Sequence, residues 1–158
     1  MAQGKHARRE RVVCDKHLDA EAIGGVLGRI GRSAQDFKPS RPYRGEFSHD
    51  EDFSDVLQLA WEYEVVLVTA DSKMIEKALR FEKQMPRAES CLRGVLVVPR
   101  DKSEQLKSLH RFASGEIVAV ASRKGDAVPK SLYDVEDYNV ALDLRRESPL
   151  VVHLCECD

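Results

Sequence analysis

Long apolar runs are missing from this sequence. The two longest, Val65–Thr69 and Val95–Val98, fall far short of the about 20 residues that span a bilayer, which excludes a transmembrane helix. Cysteine is scarce. Four in 158 residues are too few for a disulfide scaffold, Cys14 lies in an apolar strand candidate as a small hydrophobe, and reduced thiols are expected. No charge dominates either. Lys plus Arg total 25 against 27 Asp plus Glu, a formal net charge of −2, so any nucleic acid has to meet a local patch. Glycines do not fall at phosphate-loop spacing: Gly24, Gly25 and Gly28 lie inside a helical pattern, which argues against a nucleotide-binding doubly wound domain. The basic amino end is not followed by an apolar stretch of signal-peptide length, so a cytoplasmic protein is expected. Aromatics are few, at 6%, beside 42% hydrophobic and 33% charged residues, a mix suited to a domain with a proper core.

Periodicity then gives the organisation. Arg11 to Asp15 predicts a short buried strand, and Leu18, Ala22, Ile23, Val26, Leu27 and Ile30 repeat at helical spacing behind it, with Gly31 as the stop. From Arg32 to Asp50 periodicity fades among Pro39, Pro42 and Gly45, predicting a loop with room for one edge strand. Phe53, Val56, Leu57, Ala60 and Trp61 predict a helix that feeds the Val65–Thr69 strand. Asp71 or Ser72 caps the next helix, with Met74, Ile75, Ala78 and Leu79 inside and Lys73, Glu76, Lys77, Arg80, Glu82 and Lys83 outside. The strand Val95–Val98 and a helix over 102–113 complete the alternation. Continuous apolar strands between amphipathic helices call for a mainly parallel sheet covered on both faces, an α/β fold. After Gly115 the runs 116–121, 138–144 and 150–155 are strand-like between turns. The expected organisation is a flexible basic arm over 1–10, an α/β domain over 11–113 and a small β-rich extension over 114–158 packed on the core.

Placement singles out certain acids. Asp15 ends the first strand and Asp71 follows the Val65–Thr69 strand, so in a parallel sheet both emerge at the carboxyl-terminal edge. Asp52 and Asp55, three apart near the start of the intervening helix, share a face and start from that same edge. Each alone is an ordinary helix cap. Together they repel unless a cation neutralises them, and an all-oxygen donor set suits Mg²⁺ or Mn²⁺, which activates water and stabilises phosphoryl charge.

Asp55 to Ala60, followed by Val66-Leu67-Val68-Thr69-Ala70-Asp71, resembles the PIN-like domain superfamily, in particular its short bacterial branch related to toxin–antitoxin ribonucleases. Val12 to Asp15 resembles that branch's opening strand and first acid, and Gly94 to Pro99 a later strand. The resemblance covers about residues 11–113 and implies a three-layer α/β sandwich with Mg²⁺- or Mn²⁺-dependent endoribonuclease activity. Asp15 then matches the first acid, Asp71 the acid after the threonine, and Asp55 the helix acid, with Asp52 as the alternative. Thr69 would position the Asp71 loop. Lys73 stands where the branch often carries a further acid: extended into the cluster, its ammonium would occupy the place of a metal ion, whereas on the solvent face of its helix it would leave the remaining acids to suffice. The alternative is a PIN-like module that binds RNA or protein without catalysis.

Remaining signals concern partners. Lys38, Arg41 and Arg44, interleaved with Tyr43 and Phe47, combine phosphate-binding and base-stacking side chains on what is otherwise a solvated loop. RNA, an antitoxin protein covering the acidic edge and a second copy of the chain are the expected partners. His17 and His49 lie near the acids in sequence. His153, Cys155 and Cys157 offer three ligands on one strand face, but no Cys-x-x-Cys pair completes a structural zinc set.

Overall fold

The computed structural model describes residues 10–36, 55–84 and 91–155. Among them the chain forms β1 (Arg11–Cys14), α1 (Ala20–Leu27), β2 (Ile30–Ser33), α2 (Asp55–Tyr63), β3 (Val66–Thr69) and α3 (Met74–Gln84). Next come β4 (Val95–Val97), α4 (Lys102–Ala113), α5 (Leu132–Tyr138), β5 (Val140–Asp143) and β6 (Val152–His153). The fold is α/β. Its six strands make one sheet in the order β2-β1-β3-β4-β5-β6, parallel throughout except for β6, which runs antiparallel to β5.

Alternation along the strands explains why helices cover both faces, since successive side chains point to opposite sides. Val12, Cys14, Val66, Val68, Leu96 and Leu142 join Ile23 of α1, Leu109 and Phe112 of α4 and Val135 of α5 in one core. Val13, Leu67, Val95, Val97 and Ala141 join Leu57 and Ala60 of α2 and Met74, Ala78 and Phe81 of α3 in the other. With apolar residues at nearly every position, β1, β3 and β4 fit only an interior place between two helical layers.

Helix α1 stops earlier than the apolar spacing predicts. Gly28, with φ 69°, takes the left-handed cap and donates its N–H to the Gly24 and Gly25 carbonyls. Gly31 instead lies in β2, where a Cβ would collide with the Ala20 carbonyl. The glycine read as a helix stop is thus a close-approach residue that lets α1 lie directly on the edge strand.

The carboxyl-terminal region also differs from a purely β-rich extension. Residues 132–138 form α5, capped by the Ser131 hydroxyl at its start and by Asn139 in the left-handed region, φ 52°, at its end. Strand β5 pairs in parallel with β4 and so continues the main sheet. Within 116–121 the structure has a single bridge, Val120 to Leu150.

Cys91 and Cys155 form a disulfide, with Cα atoms 6.1 Å apart, which corrects the expectation that the thiols are reduced. The fold brings together two cysteines separated by 64 residues, a pairing that spacing cannot reveal. Cys14 is free and buried. Its thiol is pushed up to about 12, chiefly by burial and then by the charges of Asp19 and Asp15, so it packs as a hydrophobe. No helix among the described residues is long and apolar enough to cross a membrane.

Candidate functional site

From β1 the chain moves outward to β2, then returns past β1 to β3 and proceeds the other way. In open parallel sheets this reversal opens a crevice at the carboxyl ends of the strands on either side of it. Here those strands are β1 and β3, and they end in Asp15 and in Thr69-Ala70-Asp71.

One hydroxyl joins the two acids. Thr69, fully buried, donates its Oγ1 hydrogen to Asp15 Oδ2 at 2.8 Å and accepts the Asp71 backbone N–H at 3.0 Å. The ladder holds this arrangement beyond the strand ends: Asp15 N–H donates to the Val68 carbonyl, and Val98 N–H to that of Thr69. A threonine fits both needs, being β-branched for the strand and both donor and acceptor for the acids. Asp15 Oδ1 accepts the Lys16 N–H at 2.9 Å.

Both oxygens of Asp71 are engaged. Oδ1 accepts the Lys73 N–H at 2.9 Å, and the Asp71 carbonyl accepts that of Met74, which caps the start of α3. Oδ2 lies 2.9 Å from Lys77 Nζ. Burial works against the charged carboxylate, but the Lys77 ammonium and the Lys73 N–H outweigh it and hold the group below its ordinary value. Lys77 is half-buried, whereas Lys73 is exposed. The cation beside the acid is therefore Lys77, which the helical spacing assigns to the outer face. Its signal was its position four after Lys73, over the first turn of α3.

Asp52 lies outside the described residues, and only the backbone of Asp55 is described, as the first residue of α2. Because α2 returns antiparallel to the strands before entering β3, Asp55 starts at the same sheet edge. Lys38, Arg41, Tyr43, Arg44, Phe47, His49 and Cys157 lie outside the described residues. His17 is exposed in the turn after Asp15, with φ 71°. His153 and Cys155 do not act together: His153 Nε2 is 2.9 Å from Asp126 Oδ2, and Cys155 is bonded to Cys91.

A further acid lies at this edge. Asp143 ends β5 as Asp15 follows β1, and a strand-terminal Asp in Val140-Ala141-Leu142-Asp143 is its signal. Arg145 meets it with Nε at 2.8 Å and Nη2 at 2.6 Å. Two strand spacings from β3, about 10 Å, it belongs to a separate ion pair. No family model, curated protein or solved structure matches the chain.

Proposed function

We propose that the chain is a metal-dependent endoribonuclease of the PIN-like type, with Asp15 and Asp71 as its acids and the helix acid, Asp55 or Asp52, completing the set. The observation that carries this reading is the Asp15–Thr69–Asp71 linkage at the point where strand order reverses. Helices on both sheet faces agree with a three-layer sandwich, and α5 and β5 from 114–158 continue its core and its sheet. The donors fit Mg²⁺ or Mn²⁺ in kind, since each carboxylate oxygen keeps a lone pair beyond its present hydrogen bond. Bound there, the ion would supply Lewis-acid stabilisation of the phosphodiester and a more acidic water. Thr69 ties the Asp15 carboxylate to the Asp71 backbone, and Lys77 balances the Asp71 charge until a cation takes its place. Lys38, Arg41, Tyr43 and Arg44 would hold the RNA backbone and a base, an antitoxin protein would cover the edge, a second copy would pair with the first, and the setting would be the cytoplasm.

The second reading, a module of the same type that binds RNA or protein without cutting, is favoured by the Lys77 ammonium on Asp71. RNA cleavage assays with Mg²⁺ and Mn²⁺ on the wild type, Asp15→Asn, Asp71→Asn and Lys77→Ala separate the two. Metal-dependent cleavage lost in both Asn variants supports the nuclease. A wild type that binds RNA but does not cut it at any metal concentration supports the module.

A further inference from the structure

At the opposite, amino-terminal edge of the sheet lies a second cluster, unconnected with the acids. A carboxylate oxygen of Glu82, near the end of α3, and the sulfurs of Cys91 and Cys155 all lie within 4.8 Å of one another. The α3 spacing predicts Glu82 on the outer face, yet the side chain turns in and accepts the Leu92 N–H at 3.3 Å. Burial outweighs that hydrogen bond and pushes its carboxyl up to about 7. Two thiolates and a carboxylate together form a ligand set.

The two cysteines are positioned by more than their own bond. Leu92, next to Cys91, accepts the Asn139 side-chain amide through its carbonyl at 2.8 Å. Leu154, next to Cys155, donates its N–H to the Asn139 carbonyl at 2.9 Å. Both leucines are buried. One residue between α5 and β5 thus clamps the neighbours of both cysteines, and the clamp does not depend on the sulfur–sulfur bond.

We propose that Cys91 and Cys155 are a thiol–disulfide couple whose reduced form binds, with Glu82, one thiophilic divalent cation of the Zn²⁺ class. Reduction by a small-molecule thiol transfers two electrons and two protons to the pair, and the reductant becomes a disulfide. The cation then displaces the thiol protons, and the Glu82 proton where present, leaving a water for the fourth position. Two thiolates favour Zn²⁺ over Mg²⁺ or Mn²⁺. With Zn–S bonds near 2.3 Å, the sulfurs of a tetrahedral site stand about 3.8 Å apart, so the two thiolates have to separate once the disulfide is reduced.

Cobalt provides the test, because thiolate-to-Co²⁺ charge transfer reports sulfur ligation directly. Full-length protein, stripped of metal, is titrated with Co²⁺ without oxygen, in the oxidised state and after thiol reduction. The expected result is one equivalent with thiolate absorption in the reduced form, bleached by Zn²⁺, and none in the oxidised form. Cys91→Ser and Cys155→Ser should abolish the signal, Glu82→Gln should weaken Co²⁺ affinity at least tenfold, and Cys157→Ser should retain it. No thiolate absorption in the reduced wild type overturns the proposal, as does full-affinity binding in Cys91→Ser or Glu82→Gln. Circular dichroism establishes folding, and should a variant not fold, the comparison of oxidised and reduced wild type still decides.

Discussion

Lys77 Nζ lies 2.9 Å from Oδ2 of Asp71, and on the proposed nuclease reading this ammonium competes with a divalent cation for the carboxylate. The pair is part-exposed, with 24% and 30% of the two side chains accessible, and pairs of this kind are worth about 1 kcal/mol or less. Removing the ammonium in Lys77→Ala should raise Mn²⁺ affinity by up to about fivefold, the factor that energy represents. It should also move the Asp71 carboxyl back toward its ordinary value, as followed by NMR titration. Unchanged Mn²⁺ affinity would show that Lys77 does not compete with metal.

Thr69 makes a sharper case, because its hydroxyl is buried and serves two acids. Thr69→Val keeps the shape and the strand preference but leaves the Asp71 N–H without its acceptor and Asp15 Oδ2 without its donor. An unmet buried group costs about 1–3 kcal/mol, and at about 2–4 °C per kcal/mol thermal unfolding should shift down measurably. Thr69→Ser should recover most of the loss. If Val unfolds at the wild-type temperature, the linkage contributes nothing to stability.

These two residues show how far the sequence is legible. Asp15 and Asp71 can be placed at one sheet edge because apolar runs of four or five residues mark buried parallel strands, and a residue just past such a strand emerges at its carboxyl end. Lys77 is misplaced by periodicity because helical spacing separates inside from outside but does not say that a long side chain reaches back over the helix start. Helix α5 is missed since Leu132 and Val135 fall in a short segment that also reads as turn. Its Ser131 and Asp134 are the capping signal. Glu82 and the Cys91–Cys155 bond cannot be read, since both depend on chain segments brought together only by the completed sheet.

Asp143 gives a prediction in pH. Burial disfavours its charge, but the Arg145 hydrogen bonds outweigh this, and Arg146 adds to them, so the carboxyl sits below the ordinary aspartate value. A carboxyl depressed in the folded state adds stability that is present above the unfolded value and is lost as pH falls through the folded one. Asp143→Asn should therefore lower stability at neutral pH, and the gap should close on acidification below about 3.9, the value of an unperturbed Asp. Urea unfolding across that range measures it. A gap of constant size would mean that the carboxylate charge is not what Arg145 stabilises.

The last prediction concerns how the edge strand is held to the carboxyl-terminal region. Arg29, in the turn between α1 and β2, places Nη2 2.6 Å from Glu136 Oε1 in α5, with the two side chains only 2% and 5% exposed. Nη1 completes the fork at 3.3 Å, and the guanidinium lies 4.7 Å from the centre of the Tyr133 ring, adding a cation–π contact. Charges this far from water are stable only as a pair, so Glu136→Ala, which leaves the guanidinium buried alone, should cost about 3–5 kcal/mol. The double variant Arg29→Met, Glu136→Leu should recover most of that, because apolar side chains of similar volume avoid the desolvation penalty altogether. Chemical denaturation of Arg29→Met, Glu136→Leu and the double variant gives the coupling directly. Should the double variant prove as unstable as Glu136→Ala, the ion pair itself, and not the filled space, joins α5 to the start of β2.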